Sequence, residues 1–155
     1  LKYAHEHGCY WDAHTCTAAA KGGNLKCLMY ARDNLCPWDE STCEGAATAG
    51  HLDCLTYAHK NGCSWDAHTC TAAAKYGHLE CLKYAHKNGC ALAEDTCERA
   101  AFYGQLECLR YAIVNVFPWK TDTCLTAARM GGNPECIKYA RDMVDSEALK
   151  KRGFC

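Results

Sequence analysis

The sequence predicts an all-α fold, a solenoid of helix-turn-helix repeats joined by short loops. Three observations predict it. The string WDAHTCTAAAK stands at 11–21 and again, unchanged, at 65–75. Weaker copies, WDESTCEGAAT at 38–48, LAEDTCERAAF at 92–102 and WKTDTCLTAAR at 119–129, set a period of 27 residues. A fixed period in this range marks a repeat array, in which each unit packs on its neighbours. Within every period an Ala-rich stretch closes on Gly and a second apolar-periodic stretch follows at once. That pattern reads as a helix, a tight turn and an antiparallel helix.

One array therefore spans 1–155, with a partial unit at 1–9 and units at about 10–36, 37–63, 64–90, 91–117 and 118–145. The tail at 146–155 is polar, with Glu147 and Lys150-Lys151-Arg152, and fits a cap that closes the array. The chain opens in mid-repeat, at LKYAHEHGC, so Leu1 is not expected to be a natural N-terminus.

The first helix of a unit, helix A, is expected to start near Asp12, Asp39 and Asp66, where Asp can accept from a first-turn amide. Trp11, Trp38 and Trp65 precede these caps and stand five positions before Cys16, Cys43 and Cys70, the spacing of a hydrophobic staple. Helix A ends at Gly23, Gly50, Gly77 and Gly104, where Gly adopts the left-handed conformation cheaply. Helix B starts in the column Asn24, His51, His78, Gln105 and Asn133; Asn133-Pro134-Glu135 is the strongest start signal. It ends near KNG at 60–62 and 87–89. Cys16, Ala19 and Ala20 share one face of helix A, and Cys27, Tyr30 and Ala31 the matching face of helix B. Small Ala and Cys permit close approach, while Leu28 and Tyr30 fill the gaps.

Hydrophobic residues make up 49% of the chain, enough to fold, and the net charge is −1. No overall basic field points to nucleic acid or anionic lipid. No apolar run is long enough for membrane insertion. We expect an intracellular, cytoplasmic protein with a protein partner and no nucleic-acid ligand.

The core AAKYGHLECLKYAHKNGC at 73–90 resembles an ankyrin repeat. Ala73-Ala74, Gly77-His78, Glu80, Cys81-Leu82 and Gly89-Cys90 fall where that family carries its helix–turn–helix pattern and terminal Gly-Ala. Thr69-Cys70 matches the family's Thr-Pro-Leu-His only in part. The resemblance recurs in each unit. It implies shortened inter-repeat loops, because the family's unit is longer and the missing residues are those of its β-hairpin fingers. The short Cys-rich type with Cys-Pro-Trp-Asp loops looks closest, and recognition by long fingers is not expected of it.

Fifteen cysteines are unusual for this length. Apart from Cys155 they fall in columns headed by Cys9, Cys16 and Cys27, with Cys36 one period after Cys9. The resemblance places the helix columns at apolar core positions and the loop column at the Ala of Gly-Ala, so the favoured role is packing as a small hydrophobe. Same-column cysteines of adjacent units should stand about 8–10 Å apart, beyond the about 7 Å a disulfide allows. Loop-to-helix pairs such as Cys9 with Cys16, or Cys36 with Cys43, are the remaining bridges. His59-x-x-x-Cys63 and His86-x-x-x-Cys90 resemble half a zinc site, but no C-x-x-C occurs, and neither a metal nor another cofactor is expected. Catalysis is not expected either. His14 and Cys16, like His68 and Cys70, are two apart on a helix and point to different faces.

A partner should bind where the columns vary. The most variable pair precedes the helix A Gly: Lys21-Gly22, Thr48-Ala49, Lys75-Tyr76, Phe102-Tyr103 and Arg129-Met130. The resemblance puts this pair on the concave face. Lys75, Tyr76, Phe102, Tyr103, Arg129 and Met130 are the candidate contact, rich in types enriched at interfaces. The opposing reading is that the aromatics only stack on the next helix A. A second apolar patch, Ile113, Val114, Val116 and Phe117, replaces polar residues of the other units. Either the tail, with Leu149 and Phe154, folds back over it, or another protein covers it. The expected function is non-enzymatic protein–protein interaction. A structural brace or linker in a larger assembly, and a Cys/His-based redox- or zinc-responsive array, are the alternatives.

Overall fold

The computed structural model describes residues 2–91, 93–115 and 120–151. Among them the elements are helical and no strand occurs. The helices are α1 (Lys2–Glu6), α2 (Ala13–Lys21), α3 (Leu25–Asp33), α4 (Glu40–Ala49), α5 (Leu52–Lys60), α6 (Ala67–Tyr76), α7 (Leu79–Lys87), α8 (Thr96–Phe102), α9 (Leu106–Asn115), α10 (Thr121–Met130) and α11 (Pro134–Lys151). Packing runs between neighbours. The A helices α2, α4, α6, α8 and α10 contact one another in sequence, the B helices α3, α5, α7, α9 and α11 do the same, and each A helix contacts its own B helix.

The A helices start as the Asp caps require. The Asp39 carboxylate accepts from the Ser41 amide at 3.0 Å, and Asp66 accepts from the His68 amide at 2.9 Å. Cap residues Asp12, Asp39 and Asp66 are all extended. The fourth unit departs. There Asp95 is helical in backbone and its carboxylate instead holds Arg99 at 3.0 Å, and α8 is the shortest of the A helices. Helix B ends on an Asn whose side-chain amide returns to the carbonyl four residues earlier, as Asn61 does to Tyr57 at 2.8 Å. The next residue is left-handed. It is Gly62 and Gly89 in two units, but Leu35, at φ 61°, in the first. A Leu there is strained against its Cβ.

The core follows the predicted stripe on helix A; on helix B Ala31 is buried with Leu28, whereas Cys27 and Tyr30 are only partly buried. Cys16, Ala20, Leu28 and Ala31 are fully buried, as are their counterparts Cys43, Ala47, Leu55 and Ala58. Leu28, Leu55, Leu82 and Leu109 are the largest fully buried side chains. Around them stand almost only Ala and Cys, so Leu fills the first four units, and a partly buried Ile137 takes that place in the fifth.

The turn between the helices is an interlock between units. The His51 ring lies against Gly23, His78 against Gly50, Gln105 against Gly77 and Asn133 against Gly104. Those glycines are left-handed, and a Cβ on any of them would meet the next unit's side chain. The side chains also cap the preceding helix A. His78 Nε2 lies 3.1 Å from the Thr48 carbonyl, and Asn133 Nδ2 donates to the Ala101 carbonyl at 3.2 Å and the Phe102 carbonyl at 2.6 Å. Carbonyls at a helix C-terminus otherwise lack partners.

On the B side a second column repeats. The His59 ring stacks on Trp65 at 3.6 Å, Trp65 meets Tyr84 edge-on at 6.1 Å, and His59 Nδ1 lies 3.1 Å from the Tyr84 hydroxyl. Arg32 takes the same place over Trp38 at 4.4 Å, and His5 over Trp11 at 4.1 Å. Burial pushes the His59 pKa below its ordinary 6.5. The unfolded chain therefore binds this proton first, and stability held above about pH 6.5 is lost as pH falls through that value. The urea midpoint is expected to drop between about pH 7.5 and pH 5.5, with a shallower drop for His59→Gln.

Two sequence expectations change. The boundary drawn at 145 between the last unit and the tail falls inside α11, which runs without a break to Lys151. Leu149 thus belongs to a continuing helix, while Phe154 and Arg152 lie outside the described residues. Ile113 does not sit on an exposed face. It is 5% exposed, inside the core, because its column points the side chain where His86 reaches the Tyr111 hydroxyl. Val114 is exposed, and Val116 and Phe117 lie outside the described residues.

Candidate interaction face on the A helices

Four of the six expected contact residues form one cluster at the C-terminal ends of α6 and α8. The Tyr76 and Tyr103 rings stand 6.5 Å apart, and Phe102 meets Tyr103 edge-on at 5.1 Å. The Lys75 ammonium lies 4.8 Å from the Tyr76 ring centre and 5.0 Å from that of Tyr103. Tyr76 is 45% exposed, Phe102 39% and Tyr103 44%. Stacking between units and exposure to solvent therefore coexist: Tyr76 and Tyr103 pair across the unit boundary, yet about half of each ring remains open. Arg129 and Met130 are exposed one unit further along, and no described ring contact joins them to the cluster.

Local sequence explains this placement. The helix A core needs only Cys and the two Ala on its inner stripe, and the residues just before the closing Gly fall on the other side. Large apolar groups at those positions have nothing to pack against except each other. Lys21, Gly22, Thr48 and Ala49 fill the same positions in the first two units, so the aromatic surface begins only at α6.

Two shallow cavities flank the cluster. One, of about 380 Å³, is lined by Asp95, Glu98, Arg99, Phe102, Tyr103 and Ala127. The other, of about 400 Å³, lies between α4, α6 and α8 and includes Lys21, Glu44, His68, Lys75, Tyr76 and Arg99. Asp95 and Arg99 line both and bridge each other at 3.0 Å. The surface thus offers open aromatic faces with mixed charge at the rim.

The polar seam beneath this face is uneven. The Thr17 hydroxyl reaches Ser41 at 2.8 Å and Thr42 at 3.3 Å, and Thr71 reaches Thr96 at 3.1 Å. The column of Thr17 and Thr71 holds Glu44 in the second unit, so the fully buried Thr69 hydroxyl finds no partner. An isosteric Thr69→Val should therefore be neutral or stabilising, by up to about 1 kcal/mol, whereas Thr96→Val should cost about 1 kcal/mol. Denaturant midpoints of the two variants check the difference.

The cysteines are placed differently from the expected loop-to-helix pairs. The described cysteines are free thiols, and all are buried except Cys9 and Cys27. Cys36 faces Cys16 rather than Cys43, and Cys63 faces Cys43. Each loop folds back on its own unit, so the Cys36 thiol donates to the Asp12 carbonyl at 3.3 Å, Cys63 to Asp39 at 3.1 Å and Cys90 to Asp66 at 3.0 Å. Cys9 is exposed and does not pair with Cys16. Burial, with the Cys36 sulfur beside it, pushes the Cys16 thiol up to about 12. Hydrogen bonds to Cys63 and Cys90, then burial, raise Cys43 and Cys70 as well. Cys16, Cys43 and Cys70 therefore stay protonated at neutral pH, and a thiol is a poor nucleophile beside a thiolate; Cys97 differs, because a hydrogen bond with Cys124 of the next unit's helix A lowers its pKa and raises that of Cys124. Among the described residues no group of three or more His, Cys, Asp or Glu side chains could hold a metal ion. No described helix is long and apolar enough to cross a membrane.

No family model and no curated protein matches the chain.

Proposed function

We propose that the chain is an ankyrin-like solenoid that acts as a non-enzymatic protein-interaction module, binding its partner on a concave helix A face. One observation carries the proposal. Tyr76, Phe102 and Tyr103 gather at the C-terminal ends of α6 and α8 around Lys75, half exposed, although the buried core does not include them. Clustered aromatics of this kind supply large, rigid contact area, and hot spots are enriched in Tyr. The brace reading is less well supported, because the patch it needs has lost Ile113 to the core and keeps Val114 as its exposed described member. The two cavities fit partner side chains better than a small ligand, which would be more enclosed.

The test is capture from the native source with wild-type protein and with Phe102→Ala/Tyr103→Ala as bait. The double variant should keep its helical circular dichroism, since neither ring belongs to the buried core. It should lose at least about tenfold in partner recovery, about 1.4 kcal/mol or more. Undiminished capture by the folded double variant would remove this face from the account.

A further inference from the structure

Three units carry the same buried dithiol. Within each, a helix A cysteine and a loop cysteine 20 residues later meet: Cys16 with Cys36, Cys43 with Cys63, and Cys70 with Cys90. The placement rests on backbone geometry. The loop Sγ sits on the carbonyl of the helix A cap, 3.0–3.3 Å away, and that cap lies one turn before the helix A cysteine. In the third unit the helix thiol reaches back as well, with Cys70 Sγ 3.9 Å from the Cys90 carbonyl. The helix B cysteines Cys54, Cys81 and Cys108 are equally buried, and burial raises the pKa of each. They differ in that the causes acting on them include no hydrogen bond to another thiol. They provide an internal comparison of thiols with the same burial and no thiol partner.

We propose that these three pairs are sites of reversible oxidation, each forming a disulfide within its own unit when the protein meets hydrogen peroxide. The loop cysteine is the attacking group. The helix thiol donates to its sulfur, which lowers the pKa of Cys63 and Cys90, and it lies in a short loop rather than within a helix, its side chain buried beneath that loop. Its thiolate attacks one peroxide oxygen: an S–O bond forms, the O–O bond breaks, and hydroxide leaves and takes up a proton. The helix thiol then gives up its proton and attacks the sulfenic sulfur. The S–S bond forms, the S–O bond breaks, and a second water leaves. Two thiols lose two electrons, and one peroxide becomes two waters.

The product ties the loop after helix B to the start of helix A and closes each unit as a ring. A crosslink of this length removes conformations chiefly from the unfolded chain. Reduced and oxidised chains would keep the same contact face, and the oxidised array would resist unfolding more. This proposal is independent of what the A-helix face binds.

The experiment uses the whole chain, fully reduced and then treated with a small excess of hydrogen peroxide. Remaining thiols are alkylated under denaturing conditions, and non-reducing peptide mapping follows. We expect links Cys16–Cys36, Cys43–Cys63 and Cys70–Cys90, with Cys54, Cys81 and Cys108 alkylated. The oxidised chain should melt at least about 5 °C higher, and dithiothreitol should reverse the rise. Cys36→Ser should remove the first link and leave the other two. Full alkylation of all three pairs, conversion to sulfinic or sulfonic acid without links, or links that join the helix B column would each overturn the proposal.

Discussion

Gly50→Ala is expected to cost about 3 kcal/mol of stability. Two effects add. Gly50 closes α4 at φ 77°, and an L-residue there costs about 1–2 kcal/mol. The added Cβ would also meet the His78 imidazole, which packs directly against this glycine. The ring must then move, and its 3.1 Å bond to the Thr48 carbonyl is lost with it. That bond contributes about 1 kcal/mol. Gly62→Ala separates the effects. Gly62 has φ 83°, yet nothing lies within 4 Å of a Cβ placed there, so only the conformational cost of about 1–2 kcal/mol remains. Guanidinium unfolding of both variants gives the comparison. Equal losses would show that the turn glycines act through backbone conformation alone and that the interlock between units contributes nothing.

The second large effect is expected at Leu82. It is fully buried in a core made almost only of Ala and Cys, small residues with no spare reach to close a void. Leu82→Ala should therefore fall in the upper part of the usual range, at about 3–5 kcal/mol. Because units pack only on neighbours, the loss should appear as local opening around α6 and α7 before the ends of the array unfold. Hydrogen exchange would register this as lost protection at 67–87 with α2 and α3 largely unaffected. A uniform loss along the chain would instead mean that the helices unfold as one unit. Val114→Ala, at an exposed site, should change stability by less than about 0.5 kcal/mol.

Much of the fold is legible because its signals are local. Asp39 and Asp66 cap their helices from two residues away, Gly50 and Gly77 stop them, and a strict period places the same stripe of Cys and Ala on every inner face. What was not legible depends on contacts between units. The column Asn24, His51, His78, Gln105 and Asn133 reads as helix starts, yet the side chains of His51, His78, Gln105 and Asn133 also fill the space over the preceding unit's glycine. The signal was present: each of these four bulky polar residues follows a unit whose helix A closes on Gly. The Trp65–His59–Tyr84 stack has a similar history, because its members come from three segments that only folding brings together.

Spacing misled where it counted neighbours along the chain. Cys36 and Cys43 are seven apart, but the loop turns back, and Cys36 meets Cys16. Ile113 was placed by analogy with exposed polar residues, although His59 and His86 of that column already turn inward onto tyrosines. The candidate site fared better in its centre than at its edge. Lys75, Tyr76, Phe102 and Tyr103 come together because adjacent A helices stand side by side, whereas Arg129 and Met130 project without joining them.

The most direct test of the central claim is hydroxyl-radical footprinting of the chain alone and in complex with its captured partner. Exposed Tyr and Met side chains report contact, and this protein carries them on both helix rows. Tyr76, Tyr103 and Met130 mark the A row, and Met29 the B row. The account predicts loss of labelling at Tyr76 and Tyr103 on complex formation, with Met29 labelled as before. Protection of Met29 with Tyr76 and Tyr103 still fully labelled would contradict it and move the contact to the B helices.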